Sequence, residues 1–242
     1  MLVLATWYFE LPLLNIIIWL GIYVGALAWG SMHIQSNFFL NSINSHDKKG
    51  LVLTFDDGPH PQHTPEVLDV LAAHGVKATF FCVGERMRRY PEIARRIHDE
   101  GHILGNHTYR HTYFWGFLDR SQVDKEIKLT QVLIHDITGI YNAYFRPPFG
   151  VTNPHIAKSI QHAGLKCIGW DIRSLDTVEK DPDITIDRIR KKLEGGSILL
   201  MHDNLPNTAN ILNAVLKDCR DFGKPIVTLE EVDSNKHLSF NE

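Results

Sequence analysis

Two adjacent carboxylates stand in Thr54-Phe55-Asp56-Asp57-Gly58-Pro59, directly after the apolar run Leu51-Val52-Leu53. Like charges that close raise each other's pKa unless something positive lies beside them. A metal ion is one remedy, and the chain offers ligands for it. His107 and His111 are spaced i, i+4, which predicts two imidazoles on one face of a helical turn. Two histidines and one carboxylate make a three-ligand set that leaves positions open for water and substrate. The same trio also describes non-haem iron oxygenases, so hydrolysis and redox chemistry both fit these residues taken alone.

The elements that must position these groups alternate between apolar runs and amphipathic stretches. Strands are expected at 51–55, 78–83, 102–105, 144–146, 165–170 and 197–201, with a last one at 226–229. Helices are expected between them. One opens with Thr64 as N-cap and Pro65 at its first position. Others cover 91–99 and 121–137, the second with Ser121 to Asp124 read as a capping box. Further helices start at Asn153-Pro154 and run over 184–193 and 208–222. Strand-helix alternation implies a parallel sheet. Oxygenases with the two-histidine set usually sit on antiparallel double sheets, which this pattern does not suit. Asp56 and Asp57, His107, Arg146, Asp171 to Asp176 and His202 each follow or end a different strand. That distribution favours a distorted (β/α) barrel of about seven parallel strands over an open doubly wound sheet, because barrel sites collect side chains from several strand ends.

The chain has 242 residues and a formal net charge of −3, enough for one domain with a large core. Acids and bases are mixed, and no basic patch interleaved with aromatics suggests nucleic acid as a partner. Cys82, Cys167 and Cys219 form neither a C-x-x-C pair nor a disulfide framework. The N-terminus differs from the rest. No charged residue occurs from Leu11 to Gly30, a length of apolar helix that crosses a bilayer core. A retained membrane anchor, a signal peptide cleaved after Ala26-Leu27-Ala28 and a core helix all fit. No Lys or Arg precedes Lys48, so charge does not set the orientation. The expected organisation is an anchor and connector over 1–49, a catalytic domain over 50–235 and a tail over 236–242.

Five ordered segments go further: Thr54 to Pro59; His107-Thr108-Tyr109-Arg110-His111; Arg146-Pro147-Pro148-Phe149-Gly150; Trp170 to Asp176; and Leu200-Met201-His202. In this order they resemble the NodB-type polysaccharide deacetylases, carbohydrate esterase family four, over residues 50 to about 230. The resemblance implies one divalent metal ion, usually zinc, with cobalt as a substitute, held by Asp57, His107 and His111. It implies Asp56 as the base that activates water, Arg146 as the partner that orients Asp56, and His202 as the acid, held by Asp176. It places the Phe149 backbone N–H at the oxyanion and Leu200 beside the substrate. The family more often has Tyr at position 149 and Asp-Trp at 176–177, with a further acid at 173. This chain has Phe149, Thr177 and Arg173 instead, so one wall of the usual sugar pocket is lost.

The expected protein is a membrane-tethered, extracytoplasmic hydrolase. It removes N-acetyl or O-acetyl groups from an amino-sugar glycan such as peptidoglycan or chitooligosaccharide. A barrel that binds glycan without turning it over is the alternative. The aromatic run Tyr113, Phe114, Trp115 and Phe117 reads either as core or as a loop that stacks on sugar rings.

Overall fold

Strands that are apolar at every position can be buried on both faces, and period-two alternation then decides which side chain faces which layer. The computed structural model describes residues 13–233. In chain order the elements are α1 (Leu13–Met32), β1 (Ser42–Ile43), β2 (Val52–Asp56), α2 (His63–His74), β3 (Thr79–Cys82), α3 (Gly84–Arg89), α4 (Pro91–Asp99), β4 (Ile103–Asn106), α5 (Arg120–Thr138) and β5 (Tyr144–Phe145). After them come α6 (Pro154–His162), β6 (Lys166–Ile168), β7 (Ile172–Arg173), α7 (Pro182–Arg190), β8 (Ile198–His202), α8 (Thr208–Asp221) and α9 (Leu229–Asp233).

The eight strands form one parallel sheet in the order β1-β6-β5-β4-β3-β2-β8-β7, curled into a half-barrel. On its outer face Leu53, Phe55, Phe80, Leu199 and Met201 pack against Leu68 and Leu71 of α2, Ile97 of α4 and Leu212 and Val215 of α8. On its inner face Val52, Phe81, Ile198, Leu200 and Trp170 form a second cluster, and Leu229 and Val232 of α9 join it. Residues 169–171 carry the chain from β6, beside one edge, to β7, which is the other edge. The Asp171 carboxylate fastens this crossing by accepting from Ser197 N at 2.9 Å and Ile198 N at 2.7 Å.

Several local expectations are corrected. The strand expected at 226–229 is reduced to a single bridge between Ile226 and Leu51. Thr228 and Glu231 make reciprocal capping contacts there, with Glu231 N to Thr228 Oγ1 at 3.2 Å and Thr228 N to Glu231 Oε2 at 2.5 Å, so α9 starts instead. The box at the head of α5 is Asp119 with Gln122, not Ser121 with Asp124. Helix α2 begins one residue before Thr64, with Gln62 at the N-cap position, because the Thr64 hydroxyl is engaged elsewhere. The short α3 was not expected.

The N-terminal segment is tied to the half-barrel. Leu11 and Pro12 of the expected span, and residues 234–242, lie outside the described residues. Within α1 only Gly30 is buried, and α1 is the one helix among the described residues long and apolar enough to cross a membrane. Past its end, Ile34 is 3% exposed in the inner-face cluster. Gln35 Nε2 donates to Trp170 O at 3.2 Å, and β1 extends the sheet. The sheet thus begins at Ser42, ahead of the boundary expected at residue 50. Truncating a buried Ile to Ala costs about 2–5 kcal/mol. Ile34→Ala is expected to destabilise the detergent-solubilised chain by that amount in a denaturant titration. An unchanged midpoint would mean that residues 31–49 are a passive connector.

Candidate active site

Parallel pairing sets Asp56 of β2 opposite His202 of β8, with Thr54 opposite Leu200. Since Leu53, Phe55, Leu199 and Met201 face outward, Thr54, Asp56, Leu200 and His202 face the inside of the half-barrel. Asp56 and His202 therefore reach the C-terminal rim side by side. A slip of one residue would turn either strand's polar group into the outer core.

Arg146 at the end of β5 crosses the interior to meet them. It is 0% exposed. Its Nη1 donates to Asp56 Oδ1 and to Thr54 Oγ1, both at 2.8 Å. Its Nε donates to Ile168 O at 3.0 Å and its Nη2 to Gly169 O at 2.8 Å. The guanidinium lies 4.3 Å from the centroid of the Phe81 ring. One Asp56 oxygen is thus held by Arg146, and the other faces His107 Nε2 at 3.8 Å.

Asp57, His107 and His111 come together next to Asp56, their ligand atoms all within 4.8 Å of one another. Asp57 Oδ1 is 3.6 Å from His107 Nε2 and 3.3 Å from His111 Nε2. The helical turn expected for the two histidines is absent. His107 follows β4 and His111 lies in a loop where Thr108 (φ 64°) and His111 (φ 51°) adopt left-handed backbone. Side chains supply what a helix would have supplied. Asn106 Oδ1 accepts from Thr108 N at 2.9 Å, Thr108 Oγ1 from His111 N at 3.2 Å, and Glu126 Oε2 from Tyr109 N and Arg110 N at 3.0 and 2.7 Å.

The donor set fits a cation. His107 Nδ1 lies 2.7 Å from Arg146 O. A carbonyl only accepts, so this nitrogen carries a proton and Nε2 is the ring atom that faces Asp57. Burial and the neighbouring His107 push His111 down to about 4, which leaves it neutral at pH 7. Burial works to raise the Asp57 carboxyl, but His107, His111 and His202 outweigh it and hold Asp57 well below the usual carboxylate range. A carboxylate and two imidazoles whose Nε2 atoms converge on one point are a donor set that suits a divalent metal, which takes each of them in its deprotonated form.

Across the rim, His202 Nδ1 meets Asp176 Oδ1 at 2.7 Å, and the His202 backbone N–H donates to Asp176 Oδ2 at 2.8 Å. Burial alone would lower His202, but the hydrogen bond and charge of Asp176, helped by Asp56 and Asp57, push it up to about 9. Phe149 follows Pro148 with φ 59°. Its ring lies edge-on to His111 at 4.8 Å and stacks on Tyr113 at 5.8 Å. Leu200 is buried below His202 in the inner-face cluster. The aromatic run divides: Trp115 is buried, whereas Tyr113, Phe114 and Phe117 are exposed.

Sequence reasoning missed Asp203, which is fully buried beside the two-carboxylate turn. Thr64 Oγ1 donates to Asp203 Oδ2 at 2.5 Å and accepts from His60 N at 2.8 Å, while Asp203 N donates to Asp56 O at 3.3 Å. A Cβ on Gly58 would fall 2.2 Å from Asp203 Oδ2, so close approach explains that glycine. Burial pushes the Asp203 carboxyl up to about 7. An acid placed directly after His202 at a strand end was the available signal. Glu126, on a helix face far along the chain, left none.

A polysaccharide deacetylase family model matches residues 43–168. The chain belongs to the polysaccharide deacetylase family. It is 35% identical over 188 residues to the peptidoglycan-N-acetylglucosamine deacetylase PgdA of Listeria monocytogenes, covering 78% of this chain and 40% of that protein. This chain therefore spans about two fifths of that relative's length. It is 33% identical over 165 residues to a chitooligosaccharide deacetylase of Azorhizobium caulinodans, covering 67% of this chain and 77% of that one. The solved structure of the peptidoglycan deacetylase PdaC from Bacillus subtilis matches with a TM-score of 0.72 at 30% identity, covering 79% of this chain and 93% of that one. The family's parallel half-barrel is the fold described above.

A raised histidine pKa means the imidazolium is present at neutral pH and is lost as pH rises through about 9. In an NMR titration, His202 is expected to stay protonated through pH 8. In Asp176→Asn its midpoint is expected to fall by about one unit or more, since a hydrogen bond to the charged form favours that form. An unmoved midpoint would remove Asp176 as the cause.

Proposed function

We propose that the protein is a metal-dependent deacetylase that hydrolyses the acetamide of an N-acetylated amino sugar, or the matching O-acetyl ester, in a glycan of the peptidoglycan or chitooligosaccharide class. The observation that carries this reading is the division of labour between two neighbouring carboxylates. Asp57 faces both imidazoles, whereas Asp56 has one oxygen held by Arg146 and the other directed at the ligand set.

Asp57, His107 and His111 would hold the ion, for which zinc is the first candidate and cobalt a substitute. Bound there, it would supply a Lewis acid that acidifies water and polarises the acetyl carbonyl. Asp56 takes the proton from the attacking water with its free oxygen. Arg146 holds Asp56 in place and aims it. The Phe149 N–H donates to the developing oxyanion. His202, protonated on both nitrogens, donates from Nε2 to the departing amine, while Asp176 fixes the ring through Nδ1. Leu200 forms apolar floor below His202. For an ester the leaving alcohol takes the same proton. The helix α1 would retain the protein in a membrane with the site on the extracytoplasmic side, where such glycans lie.

Acetate release from a panel of N-acetylated oligosaccharides and peptidoglycan fragments, measured with zinc or cobalt present, tests the reading. Asp56→Asn is expected to lower kcat by about 10²- to 10⁴-fold, the usual worth of a general base, while leaving the metal content per chain unchanged. No acetate from any member of the panel, or an Asp56→Asn variant as active as the parent, would defeat it.

A further inference from the structure

The end of α1 is built into the wall of the site. Ser31 Oγ donates to Thr152 O at 2.6 Å, and Thr152 N donates to Ser31 O at 3.0 Å. Thr152 is three residues from Phe149, whose ring touches that of His111. At about 3.5 Å of reach per residue, the ligand set lies within about 20 Å of the end of α1. No slack intervenes. Gly30 packs under Phe38, Ile34 is in the core, and β1 follows in the sheet.

A second observation concerns the surface around that exit. The loop carrying Tyr113 (89% exposed), Phe114 (70%) and Phe117 (89%) is joined to the same segment. Trp115 Nε1 donates to Val151 O at 3.1 Å, and Asn153 Nδ2 donates to Gly116 O at 2.9 Å. Trp29 and Phe38 are also about half exposed. Solvent-exposed aromatic rings gathered where an apolar helix ends suit the headgroup level of a bilayer.

We infer that the site acts on acetylated sugar carried at the membrane surface on a lipid, as a lipid-linked saccharide, and not on polymer held away from the bilayer. The inference rests on the deacetylase reading above and on α1 spanning the membrane. With α1 in the bilayer, the mouth of the site cannot rise more than about 20 Å from the end of the span. Glycan strands farther out are beyond reach, whereas a saccharide on a lipid carries its acetamido group to that height. The exposed rings then face lipid headgroups and the first sugars of the substrate.

The full chain, reconstituted in phosphatidylcholine vesicles with zinc, is given an N-acetylglucosamine oligosaccharide coupled to a lipid in the same vesicles. The same oligosaccharide free in solution, and insoluble chitin outside the vesicles, are the comparison substrates at equal sugar content. The lipid-linked form is expected to release acetate at least tenfold faster than either. A variant with a flexible linker of about forty residues between Trp29 and Gly30, its span restored by three added leucines, reaches about 35 Å farther on average. It is expected to attack the chitin at least tenfold faster than the parent and to keep the parent's rate on the lipid-linked sugar within about threefold. Parent activity on chitin equal to that on lipid-linked sugar, a linker variant indistinguishable from the parent on chitin, or recovery of the intact chain in the soluble fraction without detergent would each overturn the inference. Turnover of the free oligosaccharide by the parent in detergent is the control. If it occurs while the vesicle preferences fail, the deacetylase reading stands and this inference falls. If it is absent for every acetylated substrate, both fall.

Discussion

A single guanidinium ties the half-barrel together. Arg146 donates to β2 through Thr54 and Asp56, and to the carbonyls of Ile168 and Gly169 at the end of β6. In the sheet, β2 and β6 are separated by β3, β4 and β5, so these contacts run across the interior and not along a ladder. A charge buried this completely is costly unless it is paired and hydrogen-bonded, and here the partners of its four hydrogen bonds include the proposed base. The carbonyl of Arg146 sets the His107 tautomer. One residue therefore fixes the orientation of Asp56 and the metal-facing nitrogen of a neighbouring ligand.

Around this hub the site is made of loops, and loops must be held by something other than a helical or strand ladder. Asp57, Thr108, His111, Phe149 and Leu175 all have positive φ, a conformation that costs energy for side chains with a Cβ. Buried or charged side chains compensate. Asp203 with Thr64 braces the two-carboxylate turn, and Glu126 braces the loop between the histidines. Backbone strain at a proposed catalytic centre, held by hydrogen bonds from outside it, is a common means of preorganising a polar site.

The N-terminal helix belongs to the same design. A span joined to a domain by a flexible linker would leave the domain free to search a volume. Here Ser31 and Thr152 exchange hydrogen bonds and Ile34 fills a core position. The end of α1 is thus joined directly to the segment that carries Phe149. As the proposed anchor, α1 would bear on where the site works as well as on where the protein resides.

Much of this was legible in the chain. The five polar segments, the alternation of strand and helix, and the span without charges are local features, carried by residue type and spacing. Residue type and spacing pointed to Asp57, His107 and His111, and the resemblance of the five segments to the polysaccharide deacetylases joined Asp56, Arg146, His202 and Asp176 to them. Several local readings failed where a second local signal competed: Thr228 and Glu231 cap a helix where β-branched residues suggested a strand, and left-handed turns replace the helix expected between His107 and His111. What only the tertiary structure decided is non-local. It set the register that places Asp56 opposite His202, the reach of Arg146 across the interior, the burial of Asp203 against Gly58, and the docking of Ser31 on Thr152. Each is a contact between residues tens to more than a hundred positions apart. Its energy comes from burial and hydrogen bonding in the folded interior, which residue type and local spacing do not specify.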